Sequence, residues 1–588
     1  MVAYSKVMTN PLSKIKFLFR NSLGFLFLAG FIGACSSFGA ILFRHLISLF
    51  QDLLWPGAGD FLEQVIKAPW WWRLLVPALA GLLVGPIIFR LAPELKGPGV
   101  PEVIAALVRR QGRLRHRVTF LKALVTSLLL GAGASVGREG PVVQIGASIG
   151  SSITQLLGLP GQMVRVGLAC GAAAGIAATF NAPIAGTLFA VEVILFDLEI
   201  SHLSHILIAG IVAAVLAQMM WGGLPALKGA YFWPGPYPLL LVYLLIGLLA
   251  GLVGNLFVRL IYGAGDLWDR LPGPVWIKPA LGGLCLGALA LILPEVMGVG
   301  YETVNAALSQ NLPLKLAALL LVAKILATSL CLGSGMSGGI FAPSLVTGAC
   351  LGTAISLGLN HLGFSIIPSN GALIGMGAMV AATTLAPMTA ILTIFELTYE
   401  PKLILPLMLA CVASVTVVRK LKGYSAYEMK LLKRGYHIVR GHDINILRSI
   451  PITEYLRPLE EVLYVDTKLE EVLRKALESP YPHFVVLNRH GHLKGVLSLR
   501  DLRPALPYFD ELRPLIVAAD LMTTKVLALP EEATLADAFE VFERRAVSFL
   551  PVVSKERPLQ VCGIIKRDDV LAAYHQKVLK DRILSCGL

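Results

Sequence analysis

An all-α polytopic membrane protein with related halves, followed by a smaller α/β unit, is what three observations on this chain point to. Its 588 residues are 56% hydrophobic and 15% charged, with a mean hydropathy of +0.72, values that no ordinary soluble domain shows. Segments long enough to span a bilayer, about ten of them, recur along it, among them those near 22–42, 75–93, 118–136, 206–222, 238–258, 313–333 and 402–418. A motif-bearing stretch near residue 131 also returns near residue 333.

Several apolar segments carry Gly and Pro, so interrupted helices are expected, and the lack of alternating ten-residue patterning argues against a strand-built barrel. The net charge of +14 invites a nucleic-acid partner. Much of that charge instead flanks apolar segments, at Lys14, Lys16 and Arg20 and at Arg109, Arg110, Arg113, Arg115 and Arg117. The positive-inside rule then puts the N-terminus and the loop near residue 113 in the cytoplasm, with membrane lipid rather than nucleic acid as the surroundings. The Lys14 to Cys35 stretch invites comparison with a cleavable signal peptide, but apolar character runs on to Phe50. That exceeds the usual length, so the first segment is expected to stay in the membrane. Eight Cys without paired spacing, six of them in apolar runs, read as small buried hydrophobes, and neither they nor the eleven His suggest a metal site.

The centre of the first half is GAGASVGREGP, Gly131 to Pro141. Between Val118 and Phe196 the only acidic residues are Glu139 and Glu192, and a carboxylate in so apolar a setting lines a pathway or pairs with a partner. Glycines permit turns and close approach, and the run after Pro141 reads as helix. Glu139 is thus expected near a helix N-terminus, where unsatisfied N–H groups favour anions and a carboxylate substitutes for one.

The repeat is specific. GAGASVGREGP aligns without gaps to GSGMSGGIFAP, Gly333 to Pro343, and GAAAGIAATFNAPIAGTLFAVE (171–192) matches GMGAMVAATTLAPMTAILTIFE (375–396). The offsets, 202 and 204 residues, nearly agree, and the closing Glu192 and Glu396 correspond. Duplicated halves with Gly-interrupted helices are the signature of a permeation protein whose site lies between the repeats. The relative orientation of the halves stays open on these grounds. A membrane domain is read at 1–427, a connector at 428–446, and a soluble part with two copies at 447–506 and 517–575, each helix, strand, strand, helix.

Three stretches, KGPGVPE (96–102), GREGP (137–141) and GSGMSGGIFAP (333–343), together with FNAP (180–183), resemble the anion-site motifs of the CLC family of chloride channels and anion exchangers, and the tail resembles a pair of CBS domains. The resemblance implies the CLC fold with inverted internal repeats, a cytoplasmic CBS pair, a homodimer with one pore per subunit, both termini cytoplasmic, and no enzymatic activity. Carried over by motif position, Glu139 is the gating residue, Gly97, Pro98, Gly99, Arg138, Gly140, Gly339, Ile340 and Phe341 surround the anion, and Tyr427 completes the inner site with Tyr424 as fallback. Arg138 is expected to tie the loop or tune the local potential rather than touch the anion.

Two departures from the family pattern matter. Pro98 stands where a serine is usual, as in the family's plant nitrate exchangers, so nitrate joins chloride among the expected anions. The coupling position reads Glu192-Val193 where exchangers carry two glutamates, and valine carries no proton, so the reading leans to an uncoupled gated channel, with a proton-coupled chloride or nitrate exchanger as the alternative. Glu192 is equally readable as a carboxylate hydrogen-bonded across helices. No cofactor is required. An adenine nucleotide at Ser498, Asp501 and Asp569 is implied by the CBS resemblance, with a structural, dimer-forming role competing, since Lys566 stands where the second hydroxyl belongs. Ser337 in GMSGG also fits a serine-nucleophile pattern, but GASVG at 133–137 repeats it and the membrane-proximal histidines lack a partner motif, so an intramembrane protease is a remote reading. A CBS-linked cation transporter would want several intramembrane carboxylates.

Overall fold

A computed structural model of the chain describes residues 22–434 and 447–573, apart from 58, 197–199, 223–226, 228–231, 234, 448–449, 460–461, 480–482, 525, 545–546, 548, 555–559 and 571. Lys14, Lys16, Arg20 and residues 435–446 of the expected connector lie outside the described residues. Two compact units are present, Met1–Ile438 and Val439–Leu588.

The first unit is helical. Among the described residues, nine helices are long and apolar enough to cross a membrane. Ser22–Leu54 and Leu239–Arg270, of 33 and 32 residues, would measure about 48–50 Å along their axes, longer than a hydrocarbon layer of roughly 30 Å, so they tilt or project beyond it. Others are too short to cross. The apolar run near 118–136 is not one span, because its helix, Arg117–Gly131, has 15 residues. It stops where Gly133 adopts φ +91°, and the backbone beyond leaves the helix to pair elsewhere.

The duplication in the letters is a duplication in space. Arg117–Gly131, Glu139–Leu156, Gly161–Phe180 and Pro183–Phe189 recur as Leu314–Gly333, Phe341–His361, Pro368–Thr384 and Pro387–Thr398. It also reaches upstream of the motifs recognised in the sequence. Short 3-10 turns at Pro93–Leu95 and Pro294–Val296 each lead through a glycine pair into a short helix, Val100–Arg110 and Tyr301–Leu308.

Helix Glu139–Leu156 packs on Gly161–Phe180, and Phe341–His361 on Pro368–Thr384. Small residues permit the approach: a Cβ on Gly146 would collide with the Gly171 carbonyl, and one on Gly352 with that of Gly371.

The expected domain boundary at 427 needs correction. It cuts helix Ala426–Lys433, which opens with a Ser425–Glu428 capping box and belongs to the first unit. Lys430 Nζ and Arg434 hold the buried Glu102 carboxylate at 3.0 and 2.8 Å, and Lys430 also donates to the Lys96 carbonyl. The polar composition that suggested a linker belongs to this ion cluster.

Among the described residues, the second unit holds two three-stranded sheets. Each has a parallel pair, Val462–Tyr464 with His483–Leu487 and Leu529–Pro530 with Phe549–Val553, and an antiparallel partner, Leu493–Ser498 and Val561–Lys566. The opening strands, of three and two residues, are absent from the pattern read in the sequence because period-two alternation needs a longer run.

Gly352→Ala should cost about 1–3 kcal/mol by overpacking the helix crossing. In the same helix, Gly358→Ala, where a Cβ meets nothing within 4 Å, should be neutral or gain up to ~1 kcal/mol in helix propensity. Thermal unfolding in detergent measures both, and equal losses would remove the crossing as the cause.

Candidate anion site

The three glycine-rich stretches meet backbone to backbone. Gly137 N–H donates to the Gly339 carbonyl at 2.7 Å and Gly339 N–H to that of Gly137 at 2.6 Å. An exchange of both bonds is the hydrogen-bonded pair of an antiparallel ladder. These two residues correspond in the repeat, so the exchange places a local two-fold axis between the halves. The first motif joins through Gly97 N–H to the Met336 carbonyl at 3.1 Å and Gly338 N–H to the Gly97 carbonyl at 3.3 Å. Gly140 lies so close to Pro98 that a Cβ would collide with the proline carbonyl.

Side chains repeat the two-fold. Thr126 Oγ1 meets Ser337 Oγ at 2.8 Å, and its counterpart Thr328 meets Ser135 at 3.5 Å. Ser337 is fully buried in that contact. Lys122 Nζ donates to the Leu95 and Gly97 carbonyls at 3.0 and 3.1 Å, and Lys324 Nζ to those of Val296 and Gly298, both at 2.9 Å. Both lysines are buried, and a buried ammonium must find such partners. Each closes the carbonyl-rich end of a turn before a short helix.

Within this frame Glu139 opens its helix and is 2% exposed. Its Oε2 accepts from Ala342 N–H at 3.3 Å, in the first turn of helix Phe341–His361 in the opposite half, and Oε1 accepts from the Tyr301 hydroxyl at 3.1 Å. Arg138 Nε lies 4.0 Å from Oε1, with its guanidinium 5.1 Å from the centre of the Tyr301 ring. A carboxylate therefore occupies a helix N-terminus whose first residues, Ile340 and Phe341, are themselves buried. The free N–H groups and dipole of such an end suit a negative ligand.

Gly97, Pro98, Gly99, Arg138, Glu139, Gly140, Gly339, Ile340 and Phe341 are thus gathered at one place. Of the two tyrosines, Tyr427 is buried, with its ring centre 6.3 Å from that of Phe189, and Tyr424 is 46% exposed.

The coupling pair has partners of its own. Val193 is buried in the apolar core. Glu192 caps the opposite half: Oε1 accepts from Met388 N–H at 3.3 Å, and Oε2 from Thr389 N–H and Oγ1 at 2.8 and 2.7 Å. Glu396 returns the arrangement by accepting from Ile184 and Ala185 N–H at 3.0 and 2.7 Å. Each carboxylate closes the start of the other half's short helix.

In the second unit Ser498 donates through its N–H and hydroxyl to Asp501 Oδ2 at 2.8 and 2.7 Å. Asp569 is engaged by Arg457, whose Nε donates to Oδ2 at 2.9 Å and whose second nitrogen reaches Oδ1. His483, its ring 5.0 Å from that of Phe549, is held below the usual imidazole value by burial and by the Lys566 charge.

Sequence reasoning missed Lys122, Lys324 and Tyr301. KALVTS at 122–127 against KILATS at 324–329, and PELKGPG at 93–99 against PEVMGVG at 294–300, carried the signal.

Paired, interrupted helices converging on an intramembrane carboxylate define an integral, multi-pass membrane protein for anion transport. The family described as Voltage gated chloride channel matches residues 80–419, and the CBS domain matches residues 448–508 and 517–576. The chain belongs to the CLC family. It is 36% identical to a ClcB-like chloride channel protein of Ralstonia nicotianae, over 69% of this chain and 96% of that one. To the H(+)/Cl(-) exchange transporter ClcA of Salmonella agona it is 31% identical, over 70% and 89%. The crystal structure of a slow cyanobacterial Cl-/H+ antiporter superposes with a TM-score of 0.63 at 28% identity, over 70% of this chain and 97% of that one. A eukaryotic CLC transporter, at 19% identity, shares the fold over 94% and 98%, with a TM-score of 0.62.

Proposed function

We propose that the protein conducts chloride and related small anions through a pore gated by Glu139, without proton coupling. The observation that carries the gate is the Glu139 carboxylate seated against Ala342 N–H, on the helix end an anion would use. When protonated, the side chain loses its affinity for that end, and an anion takes the place, held by amides at Ile340 and Phe341 and, further in, by the Tyr427 hydroxyl. Lack of coupling rests on Val193, which carries no proton and packs in the apolar core, while Glu192 is committed to Met388 and Thr389. A second reading, proton-coupled exchange, draws support from the relatives named as an exchange transporter and an antiporter.

Around this function we place four further features. The protein is a homodimer with one pore in each subunit. The arginine-bearing loop near residue 113 and both termini face the cytoplasm, by the positive-inside rule. Nitrate is accepted beside chloride, since Pro98 offers an anion neither N–H nor hydroxyl. The CBS pair binds an adenine nucleotide through Ser498, Asp501 and Asp569, for which the Arg457 pair at Asp569 must open; titration with ATP giving no heat would remove this feature.

Purified protein in liposomes under a chloride gradient, with the reversal potential followed while pH is varied, tests the choice. A potential indifferent to the proton gradient identifies a channel, and one that moves with it an exchanger. Glu139→Gln mimics permanent protonation, and losing charge-assisted hydrogen bonds, at about 1.5 kcal/mol or more, should raise anion flux about tenfold and flatten its pH dependence. Flux and pH response like those of the unaltered protein would count against the gate. Pro98→Ser restores a hydroxyl donor and should raise the chloride-to-nitrate permeability ratio measured from bi-ionic potentials, whereas a constant ratio would take Pro98 out of selectivity.

A further inference from the structure

The duplicated frame is most informative where its halves differ. Gly97 and Gly99, before helix Val100–Arg110, correspond to Gly298 and Gly300, before helix Tyr301–Leu308, and all four adopt positive φ, +76°, +87°, +63° and +89°. Lys122 anchors the first turn and Lys324 the second by the same two-carbonyl clasp. The second turn is further tied by Gly298 N–H to the Gly133 carbonyl at 2.9 Å, in the turn that leads to Glu139. The residue each turn delivers differs: Val100 in the first half, Tyr301 in the second. Opposite them the repeat places Phe341 where the first half has Glu139. One side of the pseudo-symmetric pair is apolar throughout, and the other is a hydroxyl donating to a carboxylate at 3.1 Å.

We propose that Tyr301, presented by the Lys324-anchored turn, is a positioning residue that latches the Glu139 carboxylate onto the N-terminus of helix Phe341–His361. The proposal rests on the reading of Glu139 as the gate. A phenolic hydroxyl gives most to a charged acceptor, so the latch favours the ionised, seated side chain over the protonated, displaced one. When the carboxylate leaves, the hydroxyl is free for the incoming anion, which keeps the exchange from leaving a buried donor unpaired. Other charged or titratable groups around Glu139 are Arg138, with Arg44 behind it on helix Ser22–Leu54, and the Tyr427 hydroxyl within electrostatic range. Tyr301 is the one whose side chain donates to the carboxylate within hydrogen-bond distance among the described residues.

The sign follows from the donor. Without the hydroxyl the seated carboxylate is held less well, it takes up a proton at higher pH, and the gate opens there. Anion efflux from liposomes of the full-length protein should therefore show, for Tyr301→Phe, a flux about tenfold higher on the alkaline side and a midpoint about one pH unit higher. In a Glu139→Gln background the same change should alter flux less than about twofold, as a latch without its carboxylate has nothing to hold. A Tyr301→Phe pH curve that overlays that of the unaltered protein, while Glu139→Gln still raises flux, overturns the latch and leaves the gate. Equal effects in both backgrounds overturn it too, by showing that Tyr301 acts on the pore rather than through Glu139. If Glu139→Gln has no effect of its own, gate and latch fall together.

Discussion

Two backbone hydrogen bonds between Gly137 and Gly339 set the geometry on which the rest of the first unit depends. In the apolar interior of a membrane an unpaired peptide group is costly, so irregular backbone survives there only when it finds partners within the protein. Each half breaks a helix here and exposes such groups, and the break in one half supplies what the other lacks. No side chain takes part, which explains why both positions are glycine: a Cβ on Gly339 would crowd Gly140 N and Gly137 O. From this joint the helices Glu139–Leu156 and Phe341–His361 start at one place, and a charged group at either start meets the dipole of the other.

The frame is symmetric and the chemistry is not. Threonine with serine, lysine with two carbonyls, and glutamate with two amides all occur twice across the local two-fold. These repeated contacts satisfy buried polar groups and hold turns in place. Among the positions that break the pattern, Glu139 against Phe341 and Tyr301 against Val100 lie where charge and hydroxyl meet. Duplication built the container, and divergence at a few positions gave it a polarity from one side to the other.

Much of this was open to a reader of the letters. Composition identified the membrane class, and the matched Gly, Ser and Pro of 131–141 and 333–343 located the joint, because glycine at a mid-membrane turn leaves few alternatives. Less visible was everything carried by a single side chain reaching across halves. Lys122 and Lys324 sit in ordinary apolar helical runs, and nothing in the local pattern says that their ammonium groups bind carbonyls more than twenty residues away. Tyr301 follows a glycine pair whose likeness to Gly97 and Gly99 is short and lacks the proline. The boundary at 427 failed because a buried ion cluster on Glu102 reads as linker polarity, and the 118–136 span failed because hydrophobicity does not report where a helix stops.

The crossed caps on the short helices bear on how the chain is made. Ile184 and Ala185 in the first half are satisfied by Glu396, a residue synthesised more than two hundred positions later. Until the ribosome has passed that glutamate, the early helix stands in the bilayer with its end uncovered, and the reciprocal amides of the late helix wait on Glu192 in turn. Final assembly of the first half thus waits on the second, and a nascent chain halted before residue 396 leaves these amides without the carboxylate that closes them.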